Sequence, residues 1–490
     1  MAYQVSPGVN VTEVDLTTVV PGVSASVGAI AGVFRWGPVG ERVLIDSETK
    51  LLDIFSKPTS LNAKTFLTAA NFLSYSSALY VVRAGNTTAN AATSYLSAVA
   101  NTLSANVANI VAYTVKNSTD YDTKSFTIAN TDVPYIARYP GELGNSLRVS
   151  VCDSNTAYSA NITTIVNSAA VMTSSNLAFT VGSNTATWTV TFTANGNTAN
   201  AYAVGFLSSI SVGDVLTVGN TATGVQYMTV ASKTTPTTNA TGNIATANIT
   251  FTTPLKLAQD VSYSATTNNV FIQRSWGYFN LVDGSPKTTD YQKLYGGNTA
   301  AIDSLHVVVV DEDGKITGSA GTVLEVYEHL SRATDAKTAE GAANYYKTVI
   351  NENSKYIWWS GDRIGAVSAN AASVASSTNT TPLYASFTGG QDGSDESNIT
   401  LADLAAAYDL YKSPEQVDVS LILQGEPRGA SSNAQLANYL INNIAEVRKD
   451  CVVFVTPPDS IVSGNVGTEA QSLVTWKTTN LVDSSYAFVD

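Results

Sequence analysis

The sequence predicts a multidomain protein of the α/β plus all-β class, in which a mixed α/β core domain is interrupted by Asn/Thr-rich antiparallel β insertion domains. Three observations carry this reading. Toward both ends of the chain, amphipathic helical patterns alternate with short apolar strands, the signature of a layered, partly parallel sheet. The middle replaces that pattern with period-two runs separated by turn residues, as an antiparallel sheet with a polar outer face requires. Charged residues make up only 13% of the 490 residues, against about 25% in an average soluble domain. Asn, Thr, Ser and Ala fill the gap, while a 44% hydrophobic fraction still supplies cores. At about 100–200 residues per domain, the length suggests about three domains.

Taken in order, residues 1–20 read as an extended N-terminal arm. Ser6-Pro7-Gly8 is a turn signal, and Val9, Val11 and Glu13 alternate with Asn10, Thr12 and Val14 in a weakly strand-like pattern. Residues 21–85 form the first part of the core. Val43 to Ile45 and Leu79 to Arg83 are strand candidates. Lys64 to Ala78 fits a helix with Phe66, Ala69 and Leu73 on one face.

Residues 86–299 are a β-rich inserted region of two domains. Between 154 and 273 the only charged residues are Asp214, Lys233, Lys256 and Asp260. Thr187 to Thr193 alternates with period two, and Asn195-Gly196, Val212-Gly213-Asp214 and Val218-Gly219-Asn220 read as turns between strands. Within this region, Arg138 to Val151 is a glycine-punctuated loop feeding a strand.

Residues 300–490 form the second part of the core. Leu305 to Val310 is a buried strand followed by an Asp313-Gly314 turn. Thr322-Val-Leu-Glu325 has the form of a capping box, which predicts a helix carrying Val323, Val326, Tyr327 and Leu330 on one face. Helices are also expected over Asn344 to Asn353, from Thr400 with Asp403 as its box partner, and along Leu436, Leu440, Ile444 and Val447. Strands are expected at Val419 to Leu423, Cys451 to Val455 and Ser485 to Asp490.

Composition excludes several functions. The net charge is −13, and no Lys/Arg cluster offers the basic face that nucleic-acid binding needs. Cys152 and Cys451 form no metal or disulfide spacing, and the two histidines, His306 and His329, are too few for a His-rich metal site. His306 is placed on a buried strand and His329 on the predicted 322–330 helix, both as structural residues. The N-terminus lacks a secretory pattern, so the Asn-x-Ser/Thr triplets at Asn86, Asn117, Asn161, Asn239 and Asn248 are compositional. The most membrane-like stretch, Gly22 to Gly37, contains Arg35 and is shorter than the about 20 apolar residues of a spanning helix.

Neither GxGxxG nor GxxxxGK[ST] follows a strand, and no G-x-S-x-G elbow is present. The loop Gln424-Gly-Glu-Pro-Arg428 reads as structural, because Pro427 lacks the amide that a phosphate cradle would use. The acidic loops Asp311-Glu-Asp313-Gly314 and Gly390 to Glu396 do not have EF-hand spacing and read as solvated turns. The aromatic pairs Tyr345-Tyr346 and Trp358-Trp359 suit either a core or a subunit contact.

Several segments together resemble one family, the tail sheath proteins of contractile-tailed bacteriophages. They are Ser6-Pro-Gly-Val-Asn-Val-Thr-Glu-Val-Asp15, Gly28-Ala-Ile-Ala-Gly-Val-Phe-Arg-Trp-Gly-Pro38, Phe55-Ser-Lys-Pro-Thr59, Asn71-Phe-Leu-Ser-Tyr75 running into Leu79 to Ala84, and Tyr139-Pro-Gly-Glu-Leu-Gly-Asn145. Further matches are Gly341 to Tyr346, Asn353-Ser354, Gly389 to Gly393, Arg448-Lys-Asp450 and Tyr486-Ala-Phe-Val-Asp490. The Asn/Thr-rich region has no recognisable match.

The resemblance implies a non-enzymatic subunit that stacks as hexameric rings around a tail tube and contracts to drive the tube through the host envelope. It implies neither cofactor nor metal, no nucleic-acid partner and no membrane insertion. The implied partners are neighbouring sheath subunits, the tail tube protein, and the baseplate and tail terminator proteins, in the virion and, during assembly, in the host cytoplasm. Family members exchange terminal arms that add strands to neighbouring sheets, so Val5, Pro7, Gly8, Val9, Val11 and Val14 are the expected subunit-contact residues. The resemblance also leads us to expect that the chain stops short of the family's C-terminal domain. A pyocin-like bacterial injection sheath, a β-rich surface adhesin and, last, an α/β enzyme are the alternative readings.

Overall fold

The computed structural model describes residues 27–85, 91–94, 115–123, 134–161, 166–167, 170–179, 182–192, 204–205, 207–220, 224–254, 256, 261–264, 271–392, 399–426, 433–463 and 466–489. These residues divide into two compact units. The first takes the described parts of 27–34, 40–84 and 399–489, and the second takes 35–39 and the described parts of 85–392.

The first unit is built on a six-stranded sheet. In spatial order its strands are Arg42–Ile45, Leu79–Arg83, Gly28–Gly32, Leu421–Leu423, Val452–Val455 and Ala487–Val489. The first pair is antiparallel and the rest are parallel. Successive residues of the strands point to opposite faces, and both faces are apolar. Ile30 and Val81 join Leu51, Phe55, Phe66 and Ala69 from the helices Glu48–Phe55 and Ala63–Leu73. Ala29, Ala31, Val82, Ile422 and Val453 instead meet Leu404, Tyr408, Leu436 and Leu440 from the helices Leu401–Tyr408 and Asn433–Leu440. A sheet covered on both sides explains why its strands are continuous apolar runs.

Close approach decides some small residues. A Cβ on Gly32 would lie 2.4 Å from Cγ2 of Thr65, so glycine lets the Ala63–Leu73 helix sit down on the strand. The capping box at Thr400 forms as expected, with Thr400 Oγ1 accepting from Asp403 N and Thr400 N donating to Asp403 Oδ2. The hydroxyls of Tyr408 and Tyr411 donate to the carbonyls of Leu423, Ile30 and Tyr80. Those bonds satisfy polar atoms inside the core, as buried groups require.

The helical segment that begins with Asn433–Leu440 departs from expectation at Val447, which is 56% exposed. A π-helical turn over Ile441–Ala445 inserts an extra residue before Glu446–Arg448. That rotates Val447 off the stripe of Leu436, Leu440 and Ile444.

The second unit holds two antiparallel sheets. Seven strands run Thr322–Ser331, Ser304–Asp311, Leu147–Cys152, Leu383–Thr388, Ala91–Ser94, Tyr135–Pro140 and Ile357–Trp359. The other sheet has ten strands and occupies residues 159–275. In its Thr185–Phe192 strand, Ala186, Trp188 and Val190 are buried while Thr185 and Thr187 face out. Trp188 lies opposite Ala247 and Ala186 opposite Ile249, so large residues meet small ones. On the outer face Thr187 Oγ1 donates to Asn248 Oδ1, and the Thr189 and Thr246 hydroxyls pair. Side-chain hydrogen bonds do there what charges do on most surfaces, which accounts for the charge-poor composition.

Three further expectations are corrected. The core boundary expected at residue 300 falls instead after the strands of 304–388. Ser304–Asp311 pairs antiparallel with Leu147–Cys152, and Leu383–Thr388 pairs with that same strand. Residues 304–388 therefore belong with the second unit, and parallel pairing resumes only in 399–489. The helix expected from Thr322 is the strand Thr322–Ser331, paired with Ser304–Asp311. Val218-Gly219-Asn220 is not a turn but the end of the Val215–Asn220 strand, paired on both sides. The Asn195-Gly196 turn lies outside the described residues.

Buried arginines hold the second unit's irregular segments. Arg332 donates to the carbonyls of Ile302, Val367 and Ala375. Arg274 donates to those of Ser209, Thr156 and Thr380. Each side chain satisfies several loop carbonyls at once with charge-assisted bonds.

Candidate functional site

The backbone edges of the sheets are the first candidates. An edge strand presents unpaired N–H and C=O groups, which a partner's strand can take up. In the six-stranded sheet, Arg42–Ile45 is one edge and Ala487–Val489 the other, and no described strand lies beyond either. Leu44 is 45% exposed and Phe488 is 55% exposed. Phe488 also packs on Phe454, with ring centroids 5.8 Å apart. The residues expected to make the subunit contact, Val5, Pro7, Gly8, Val9, Val11 and Val14, lie outside the described residues.

The acidic loops are organised by their own carboxylates. Asp311 accepts from Ser146 Oγ at 2.6 Å, from Thr317 N at 2.7 Å and Oγ1 at 2.8 Å, and from Ile316 N at 3.1 Å. Burial pushes its pKa up, but these bonds outweigh it, and the net effect holds Asp311 below the usual carboxylate range. Asp392 accepts from the Glu142 amide and so ties its loop to the 3₁₀ turn Glu142–Ser146. Among the described residues, no group of three or more His, Cys, Asp or Glu is arranged to hold a metal ion. No described helix is long and apolar enough to cross a membrane.

The loop at Gln424 packs against its own unit. Gln424 donates to Asn433 O and accepts from Thr456 N, while Gly425 N donates to the Tyr408 hydroxyl. Pro427 and Arg428 lie outside the described residues. The aromatic pairs resolve toward the core, with Tyr346 and Trp358 buried. Trp359 Nε1 donates to the Tyr346 hydroxyl, and Trp358 stacks on Tyr121 at 4.3 Å beneath the Arg138 guanidinium.

One cluster is invisible in the sequence. The chain's two histidines touch, with ring centroids 4.5 Å apart. His306 pairs across the hairpin with a bulge, because Leu305 faces Leu330 while Val307 faces Tyr327, leaving Glu328 and His329 opposite a single residue. His329 is therefore at φ 49, a left-handed conformation rare for a non-glycine residue, rather than on the expected helix. Its backbone N–H donates to His306 Nδ1 at 3.1 Å, and its Nε2 bonds the Asp283 carboxylate.

Because Nδ1 accepts, the neutral His306 ring carries its proton on Nε2. Trp276 stacks on the same ring at 5.9 Å. Burial, reinforced by the neighbouring His329, pushes the His306 pKa down to about 4. The bond from His329 holds the Asp283 carboxyl below its usual range. Only the residue types carried a signal here, since nothing in a spacing of 23 residues foretells a bulge. The thiols of Cys152 and Cys451 are buried and free, and burial pushes the Cys451 pKa up to about 11.

Comparison with known proteins bears on the first unit most directly. A family model described as tail sheath protein Gp18 domain III N-terminal region matches residues 26–84. Those residues include the Gly28–Gly32, Arg42–Ile45 and Leu79–Arg83 strands, hence one open edge of the sheet. The tail sheath protein of Salmonella phage ViI is 28% identical over 498 residues, covering 100% of this chain and 66% of its own length.

The chain is similar in sequence to phage tail sheath proteins.

The tail sheath protein of Enterobacteria phage T4 is 23% identical over 513 residues, covering 99% of this chain and 68% of that one. That of Vibrio phage KVP40 is 36% identical over 102 residues, covering 21% of this chain and 15% of that one. The chain thus spans about two thirds of the length of the ViI and T4 sheath proteins. A solved sheath tail protein from Listeria innocua aligns with 50% of this chain and 34% of its own, at 16% identity and a TM-score of 0.17. That likeness is too slight to bear on the fold.

Proposed function

We propose that the protein is a structural subunit of a contractile phage tail sheath. It polymerises as stacked hexameric rings around the tail tube and contracts to drive the tube through the host envelope. The observation that supports this most is the similarity to tail sheath proteins along the whole chain. The named relatives are phage proteins, which favours a virion over a bacterial injection system.

In this reading, the sheet unit of 27–34, 40–84 and 399–489 is the polymerising core, and the β-rich insertion forms the outer surface. The N-terminal arm, through Val5, Pro7, Gly8, Val9, Val11 and Val14, adds a strand to an edge of a neighbour's sheet. Each added backbone hydrogen bond contributes about 0.5–1.5 kcal/mol net. Repetition around a ring makes later bonds effectively intramolecular, and such tethers let rings rearrange during contraction without separating. The other partners are the tail tube, baseplate and tail terminator proteins, and assembly takes place in the host cytoplasm. The proposal is tested by negative-stain microscopy of the full gene product with tail tube present. Hollow tubes of stacked rings support it, and dispersed subunits overturn it.

A further inference from the structure

The second unit contains a cavity of about 400 Å³, within the 300–1,000 Å³ range of small-molecule sites. Its walls come from the short helix Asp290–Tyr295, from His329 at the bulge, and from the loop that follows the Thr322–Ser331 strand. One wall is aromatic. Tyr291 and Tyr295 lie with ring centroids 4.7 Å apart, tilted by 43°, and Tyr295 and Leu294 are 65% and 75% exposed. Neither the helix's own packing nor a neighbouring strand accounts for that exposure, since the turn is held through buried Gln292 and the Thr289 cap.

The rest of the lining is mixed in charge, with Lys287 and Lys337 set among the carboxylates of Asp283 and Asp290. Lys287, Lys337 and His329 all border the cavity. Lys287 is engaged at 3.6 Å with Asp283, and the rim carboxylate Asp290 is engaged at 2.7 Å with Lys293. The ammonium of Lys337 has neither an ion pair nor a hydrogen bond among the described residues. His329 Nδ1 is buried without a partner, its other ring nitrogen being held by Asp283. Thr288 and Thr338 also line the cavity, and the Thr338 side chain bonds the Glu340 carboxylate.

We infer that this cavity is a binding site for an acidic saccharide. The ligand has to present a flat face of C–H groups to Tyr291 and Tyr295, hydroxyls to the threonines, and one carboxylate to Lys337 and Lys287. A neutral sugar would forgo a charge-assisted bond to Lys337. A small bare carboxylate such as acetate would leave the tyrosine wall and most of the volume unfilled. A uronic acid unit of a polysaccharide meets all three demands. On the proposed sheath function the site would give the particle a foothold on acidic surface polysaccharide, while binding by the chain itself is tested without that reading.

The test uses the full chain with methyl β-D-glucuronide, methyl β-D-glucoside and acetate as probes, read by ligand-observed NMR saturation transfer and titration at low salt. The expected result is glucuronide binding in the millimolar range, at least fivefold tighter than glucoside, with no acetate saturation. Lys337→Gln should abolish the preference for the acid, and Tyr295→Ala should weaken both sugars about tenfold. Both residues are exposed, and an unchanged amide spectrum confirms the fold of each variant. Equal binding of the two sugars, acetate competing as well as glucuronide, an unaltered preference in Lys337→Gln, or no saturation at 20 mM glucuronide would each overturn the inference.

Discussion

Acidification is the sharpest perturbation available for the second unit, because one buried base responds to it. His306 is fully buried between Trp276 and His329, and its Nδ1 is already committed as an acceptor. Protonation removes that acceptor and places a charge in the interior. Burial, with the nearby His329, therefore lowers its pKa from 6.5 to about 4. A base with a depressed folded pKa binds fewer protons folded than unfolded between those two values, so stability falls as pH falls through this window. At about 1.4 kcal/mol per pKa unit, the loss attributable to this ring is about 3 kcal/mol between pH 6.5 and pH 4.

Two measurements check it. With only two histidines in the chain, an NMR titration of the ring resonances assigns itself once His329→Asn has been recorded, and His306 should stay neutral to about pH 5. Urea unfolding of the wild type and of His306→Asn, whose amide oxygen can still accept from the His329 N–H, should then differ in pH dependence. The wild type's advantage should shrink by about 3 kcal/mol from pH 7 to pH 4. A His306 midpoint at pH 6 or above, or a stability difference that does not change with pH, would refute the reasoning.

Other perturbations have equally definite outcomes. Asp311→Asn should cost about 1–3 kcal/mol in urea unfolding at pH 7, since several donors converge on that carboxylate. Because its folded pKa is lowered, the wild type's advantage should be lost as pH falls below about 4. Arg448→Met should destabilise the first unit by about 3 kcal/mol, as it orphans the Tyr411 and Val417 carbonyls and leaves Asp450 unpaired. Gly277→Ala should lower the melting temperature, with a cost of about 1–3 kcal/mol or more, because the new Cβ would lie 2.2 Å from the Gly213 carbonyl oxygen. Val11→Pro, which removes an arm N–H, should block ring assembly while leaving the subunit's own melting unchanged.

What could be read from the sequence follows the range of the interactions involved. The capping box at Thr400 was legible because Thr400 and Asp403 satisfy one another within a single turn. The same pattern misled at Thr322. There Thr322 Oγ1 donates back to Ser319 O, and Glu325 accepts instead from Ser354, Lys355 and Tyr327. The β-branched residues Thr322, Val323 and Val326 favour a strand, and pairing with Ser304–Asp311 decides the outcome. The domain boundary was hidden for a similar reason, since local patterning cannot tell that 304–311 pairs with 147–152. The polar face of the insert was legible from alternation alone, and Trp188 opposite Ala247 shows why that alternation folds. The histidine cluster and the Lys337 cavity depend on a bulge and a loop, which leave no periodic trace in the chain.

The central claim is that this chain builds a sheath through strand exchange at open sheet edges. The most direct measurement is electron microscopy of the full gene product and its Val11→Pro variant, each mixed with tail tube. The account predicts tubes of stacked hexameric rings for the first and none for the second, with both subunits equally folded. Tubes formed equally well by both would contradict the strand-exchange mechanism, and tubes formed by neither would contradict the sheath assignment itself.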